Sequence, residues 1–156
     1  MLPIRRRPSY CPKRDLYERG IFHITLVTKR RGRVLGTTYG PHYCRTPMGI
    51  MVEQAWDHLP YIYPFIRTGT CVAMPDHFHG LIRVLPHTQN IPLSRIVAHF
   101  KGTTSRRSTR HGHPKGRPLW QRSYWDVRVH TPDHLRRTQR YIRRNPAKWM
   151  RKCAWR

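Results

Sequence analysis

Charge is segregated along this chain, and the segregation decides where a core can form. Residues 1–33 hold ten Lys/Arg, residues 34–98 hold four and residues 99–156 hold seventeen. With 31 basic residues against 7 acidic ones, a formal charge of +24, the ends repel themselves in any compact state. The near-neutral middle therefore reads as buried framework, and the two basic ends read as binding surface. The 156 residues suffice for one domain with a real core, spanning 1–156, and no internal repeat is visible.

The same charge narrows the partners. A strongly basic surface attracts polyanions, which makes nucleic acid the first expectation. A membrane surface would call for a basic amphipathic helix with a broad apolar face, and no apolar run approaches the roughly 18 residues of a spanning helix. Met1–Arg7 carries three arginines with no apolar stretch behind them, so no signal peptide is visible. Cys11, Cys44, Cys71 and Cys153 form no C-x-x-C pair, which argues for free thiols in a reducing cytoplasm. The expected location is cytoplasmic, at the nucleoid when bound to DNA. The carboxylates (Asp15, Glu18, Glu53, Asp57, Asp76, Asp126, Asp133) are spread out, against the clustered acids of many two-metal nucleases. Any metal here must lean on histidine.

Residues 21–28, IFHITLVT, are β-branched and apolar enough for a central strand. A helix is predicted from about Thr46 to Leu59. Thr46 can cap it, Pro47 suits its first turn, Met48, Met51, Val52, Ala55, Trp56 and Leu59 share a stripe, and Pro60 stops it. Two strands follow at roughly 65–74 and 78–85, joined by a tight turn at Pro75-Asp76. A second helix is predicted from about Pro92 to Lys101. Residues 102–118 lack apolar periodicity and read as a mobile basic loop. A last strand near Tyr124–Val129 leads to a third helix starting at Pro132 and capped by Thr131. The order β-α-β-β-α-β-α predicts an α+β, ferredoxin-like antiparallel sheet with helices on one face.

Within this frame, His77-Phe78-His79 opens a strand after a sharp turn, so His77 and His79 share one face. Two imidazoles converging from one strand can hold a divalent cation, but two hydrogen-bonded strand histidines would look the same. Spacing alone leaves both readings open. His111-Gly112-His113, in the basic segment, reads as solvated. Tyr141 sits one helical turn before Asn145, whose amide oxygen could complete a metal site beside the phenol. Pro146 biases Asn145 away from helical geometry, so a break or kink is expected there. Arg136, Arg137, Arg140, Arg143 and Arg144 surround Tyr141, too dense to be comfortable without a polyanion. Trp120 and Tyr124 are candidates for stacking on unpaired bases, Trp125 for the core, and Lys101 for a phosphate contact.

The segments MPDHFHGLI, LWQRSYWDVRV and YIRRNPAKW, in this order, resemble the REP-associated tyrosine transposases of the single-tyrosine HUH class. YERGIFHITLVTKRRGRVLG and IVAHFKGTTSRR resemble the same family, so the likeness covers nearly the whole chain. The resemblance implies a DNA transposase that cleaves and rejoins single strands. Tyr141 would be the nucleophile that becomes linked to a 5′ phosphate, and His77, His79 and Asn145 would bind Mg²⁺ or Mn²⁺. It implies single-stranded DNA with a small hairpin as substrate, handled by a monomer or homodimer. The alternative is a basic nucleic-acid-binding module that binds without cutting. An RNA-binding use of the sheet is less supported, since no aromatic ribonucleoprotein signature is visible.

Overall fold

The computed structural model describes residues 19–86, 88 and 91–154; the basic segment 1–18, with Cys11, Asp15 and Glu18, lies outside them. Its main sheet has four strands, β1 (Gly20–Val27), β4 (Ile66–Met74), β5 (His77–Val84) and β6 (Trp125–Val129). They lie in the order β4-β5-β1-β6 with every neighbour antiparallel, the arrangement of a split β-α-β fold. The first six predicted elements are therefore present in their predicted order. A small hairpin, β2 (Gly36–Tyr39) and β3 (His42–Arg45), stands outside that plan. Its strands are short and largely polar, so no alternation announces them. Tyr43 donates to the Ala73 carbonyl, and Arg45 pairs with Glu53, whose other oxygen accepts from Ala73 N at 2.8 Å.

One face of the sheet carries the larger core. Phe22, Ile24 and Leu26 of β1 and Phe78, Ile82 and Val84 of β5 meet α1 (Pro47–Asp57) and α3 (Leu93–Ser108). Thr46 caps α1 as expected, accepting from Gly49 N at 3.1 Å while donating to the Val34 carbonyl at 2.7 Å. The helix turns at His58, and Pro60 sits in the first turn of the short α2 (Leu59–Ile62). Trp56 lies edge-on to Phe78 and Phe100, with centroids 5.2 and 5.1 Å away, and rests directly on the backbone of Gly80.

α3 runs seven residues past its predicted end, through much of the segment read as a mobile loop. Its buried stripe continues as Phe100, Thr104 and Ser108, at i, i+4 and i+8, but in polar residues that an apolar-periodicity reading cannot see. Each hydroxyl is satisfied internally, Thr104 on the Phe100 carbonyl and Ser108 on the Ser105 carbonyl, both at 2.8 Å.

The third long helix, α4 (Pro132–Ala154), does not share the face of α1 and α3. It covers the opposite one, because Val72, Met74, Leu81 and Val129 point that way and need burial under Ile142, Leu135 and Trp149. Thr131 caps it, accepting from His134 N at 3.1 Å. The helix continues through Pro146 without a break, against the expectation from the Asn-Pro pair.

A Cβ on Gly80 would lie 2.7 Å from Trp56 ring atoms and 2.8 Å from the Phe78 ring. Gly80→Ala is therefore expected to cost about 1–3 kcal/mol through overpacking. The check is a denaturant titration, in which an unchanged midpoint would contradict the packing described.

Candidate active site

The face beneath α4 is polar where β1 and β5 run side by side. Thr25 pairs directly with His79 and Val27 with His77, so alternation turns His23, Thr25, His77 and His79 the same way. His79 Nδ1 lies 3.0 Å from Thr25 Oγ1 and 3.1 Å from His23 Nε2. Burial, reinforced by the neighbouring His77 and His23, holds His79 well below the usual imidazole range. Burial, helped by His134, brings His23 down to about 4. Both rings are therefore neutral at pH 7. His77 Nδ1 donates to Asp76 Oδ1 at 2.7 Å, and that bond keeps the Asp76 carboxyl below its ordinary value. Arg31 stands 3.7 Å from the same carboxylate.

Both candidate ligands thus commit Nδ1 to the protein. Among the described residues, no hydrogen bond engages Nε2 of either. That is the arrangement in which an imidazole is oriented through one nitrogen and offers the lone pair of the other.

α4 lays Tyr141, Asn145 and Trp149 over the pair, one turn apart on one stripe. The Tyr141 ring is 5.5 Å from His79 and 6.1 Å from His23, centroid to centroid, and Trp149 is 6.4 Å from His77. Asn145 lies between these two contacts. It is 8% exposed and its Nδ2 donates to the Tyr141 carbonyl at 3.1 Å, leaving Oδ1 as the side chain's ligand atom. Tyr141 is 45% exposed, open to a substrate from above. Among the described residues, no three His, Cys, Asp or Glu side chains cluster for a metal. A cation here would rest on two imidazole nitrogens and one amide oxygen. Those donors are of the right kind, neutral and oriented, and so few that water and substrate oxygens would complete the shell.

The five predicted arginines of α4 are all exposed. Arg137, Arg140, Arg144 and Lys148 line a groove of about 270 Å³ that has Tyr141 in its wall. Lys148 holds its ammonium 5.9 Å from the Tyr141 ring centroid, and Arg33 stacks 5.4 Å from that of Trp149. Asp133 pairs with Arg137 at 2.8 Å and with Arg136 at 3.5 Å. The other three arginines have no carboxylate partner among the described residues.

Three expectations come out differently. Trp120 is 2% exposed and donates to Thr104 Oγ1 at 2.8 Å, so it is a core residue and no stacking platform. Tyr124 packs partly buried against the same core, whereas Trp125, expected in the core, is only half-buried. Lys101 donates to the Gln121 and Arg122 carbonyls at 2.7 and 2.8 Å, and burial lowers its pKa. Its ammonium braces the chain after α3. The residues that sequence reasoning missed are those that hold the site in place: His23, Thr25, Asp76, Arg31 and Trp149. The alternation His23-x-Thr25 within β1 was the available signal for the first two.

Residues 17–145 match the family described as IS200-like transposase. An uncharacterized protein of Haemophilus influenzae is 24% identical over 149 residues, covering 83% of this chain and 82% of its own length. A REP-associated tyrosine transposase solved bound to a REP hairpin superposes with a TM-score of 0.62 at 20% identity, over 89% of this chain and 74% of that one. A Deinococcus radiodurans protein provisionally described as a transposase gives 0.56 at 20% identity, over 86% and 96%. At these identities the two structures speak for the fold, and the family match speaks for membership.

Burial of the neutral His23 makes a pH prediction. Its pKa is about 4 in the fold against 6.5 when unfolded, so the unfolded chain binds more protons between those values. Stability in metal-free buffer should be full above about pH 6.5 and fall as pH drops toward 4. Denaturation midpoints across that window should slope less in His23→Asn than in the parent. Equal slopes would contradict a buried, neutral His23.

Proposed function

Because this chain belongs to the IS200-like transposase family, we propose that it cleaves and rejoins single-stranded DNA through a covalent bond to Tyr141. The observation that carries the reading is the half-exposed Tyr141 ring, standing 5.5 Å from His79 and forming the wall of an arginine-lined groove. α4 presents the Tyr141 hydroxyl between the sheet's histidines and the exposed cations of its own outer face.

The chain's own residues divide the work. Arg140, Arg144 and Lys148 bind the strand's phosphates and set the scissile one against the phenol. The Tyr141 oxygen attacks phosphorus, a phosphotyrosine bond forms and the bond to the 3′ oxygen breaks. The phenol proton leaves to solvent and the departing 3′ oxygen takes one up. A free 3′-OH attacking the phosphotyrosine reverses each change, so strands rejoin without an external energy source. His77, His79 and Asn145 are the residues that would hold Mg²⁺ or Mn²⁺. Once bound, such an ion supplies charge stabilisation on the phosphate, useful because a phenol with a pKa near 10 is a weak nucleophile at neutral pH. A hairpin-bearing single strand is the substrate form this reading favours, by analogy with the relative solved on a REP hairpin.

Two measurements test the reading. With Mg²⁺ or Mn²⁺ and a labelled, hairpin-bearing single strand, the protein should form a denaturant-resistant adduct. Tyr141→Phe, which removes only the hydroxyl, should abolish it with folding and binding retained, and His77→Ala should block it as well. An adduct with Tyr141→Phe would move the nucleophile elsewhere, and no adduct with the intact protein would leave a binding module that does not cut.

Affinity should also fall steeply with salt, each single-strand phosphate contact adding about 0.7 to the slope of log K against log salt. Replacing Arg140 and Arg144 by Ala should flatten that slope by about one unit. An unchanged slope would place the binding surface off α4.

A further inference from the structure

The His111-Gly112-His113 turn, read from sequence as solvated, closes one side of a cleft of about 400 Å³. That volume falls in the range of about 300–1,000 Å³ typical of small-ligand sites. Gly112, in the left-handed region at φ 83°, ends the helical segment, and His113 N donates back to the Ser108 carbonyl at 3.1 Å. The turn is thereby fixed to α3. Across the cleft stand Val34, Pro47 and Met48, brought close because Gly49 lets the Leu35 carbonyl pack where a Cβ would sit.

The lining has an unusual composition. Val34, Pro47, Met48 and Pro114 are apolar, and Thr46 offers only its methyl, since its hydroxyl already bonds Val34 and Gly49. Two imidazoles are the exceptions: His111 is exposed, and His113 Nε2 is shielded from solvent with no hydrogen-bond partner among the described residues. A phosphate in this cleft would lose its hydration for at most two imidazoles, which is costly. A flat heterocycle would keep its faces against the apolar walls and bond His113 through its edge. Outside, Arg110, Lys115 and Arg117 are exposed and lack ion-pair partners among the described residues.

The cleft also adjoins the candidate active site through a single stretch of chain. Arg31 contacts Asp76, Arg33 stacks on Trp149, and Val34, one residue of about 3.8 Å further on, forms the cleft wall. We propose that this cleft receives one unpaired base of the DNA strand held at Tyr141, with the imidazoles of His111 and His113 at the base edge and Arg110, Lys115 and Arg117 bracing the adjoining phosphates. The proposal rests on the single-strand reading above and adds to it a base pocket on the far side of the 31–34 segment.

The test is photocrosslinking of the full chain to an oligothymidylate containing 4-thiothymine, with attachment sites mapped by mass spectrometry. Crosslinks are expected at the cleft, on Met48 or residues 111–114, as well as along α4. Val34→Trp, which fills the cleft, should reduce the cleft crosslinks at least tenfold and spare those on α4. Affinity should drop about tenfold, the scale of one stacked base. His113→Ala, a truncation on a half-exposed turn, should lower both readouts in the same direction and guards against a folding defect in Val34→Trp. Crosslinks confined to α4, cleft crosslinks undiminished in both variants, or no binding to the oligothymidylate would overturn the proposal. The adduct assay judges the cleavage reading separately: a protein that crosslinks in the cleft but never forms an adduct keeps the pocket and loses the chemistry.

Discussion

The register between β1 and β5 is the constraint on which everything else hangs. Thr25 faces His79 and Leu26 faces Phe78, so one face receives a hydroxyl beside an imidazole and the other receives two apolar chains. A slip of one residue would exchange the faces, sending His77 and His79 under Trp56 and leaving Phe78 beneath Tyr141. Gly80 guards against that slip, because only a residue without Cβ fits under the Trp56 ring. The site is thus positioned by the core on its reverse side. The packing of α1 against the sheet's apolar face decides where the histidines of the other face point.

What could be read in the sequence follows from how local each signal is. The pairing of His77 with His79, the Thr46 cap and the placing of Tyr141 one turn before Asn145 need only the period of their own element. His23 and Thr25 also lie on a simple alternation, but the surrounding apolar residues made the strand look uniformly buried. The continuation of α3 through Thr104 and Ser108 was hidden for a physical reason. A buried hydroxyl that bonds a carbonyl of its own helix costs little, so a stripe can stay buried while ceasing to be apolar. Trp120 lies in the core, against its expected stacking role, for a similar reason. The partner that admits the Trp120 ring nitrogen to the core, Thr104, lies sixteen residues away.

Charge shows the same division between what composition and what geometry decide. Composition announces a basic surface without saying which cations are free. Lys101 is bound to two carbonyls, and Arg45 and Arg31 are engaged by Glu53 and Asp76. Arg140, Arg143 and Arg144 face solvent with no carboxylate among the described residues, on the helix that carries Tyr141. Local repulsion among them weakens the isolated helix, and α4 holds its place through the apolar contacts of Leu135, Ile142 and Trp149 with the sheet. Its cations therefore stay available to a partner instead of to the fold.

Pro146 brings these arguments together. A proline inside a helix withdraws an N–H and crowds the carbonyl four residues back, here that of Ile142, and commonly bends or ends the helix. In α4 the helix persists. Ile142 is fully buried against the sheet, and Asn145 gives the Tyr141 carbonyl a side-chain donor in the turn that the proline has weakened. The same hydrogen bond ties the candidate nucleophile's backbone to the candidate ligand's amide. A residue without an amide at 145 would lose both the oxygen and the brace, and one without the proline at 146 would have no weakened turn to brace. The Asn-Pro pair therefore joins a weakened turn, whose Ile142 carbonyl lacks the proline's N–H, to an amide that ties the neighbouring Tyr141 carbonyl to the side chain the site requires.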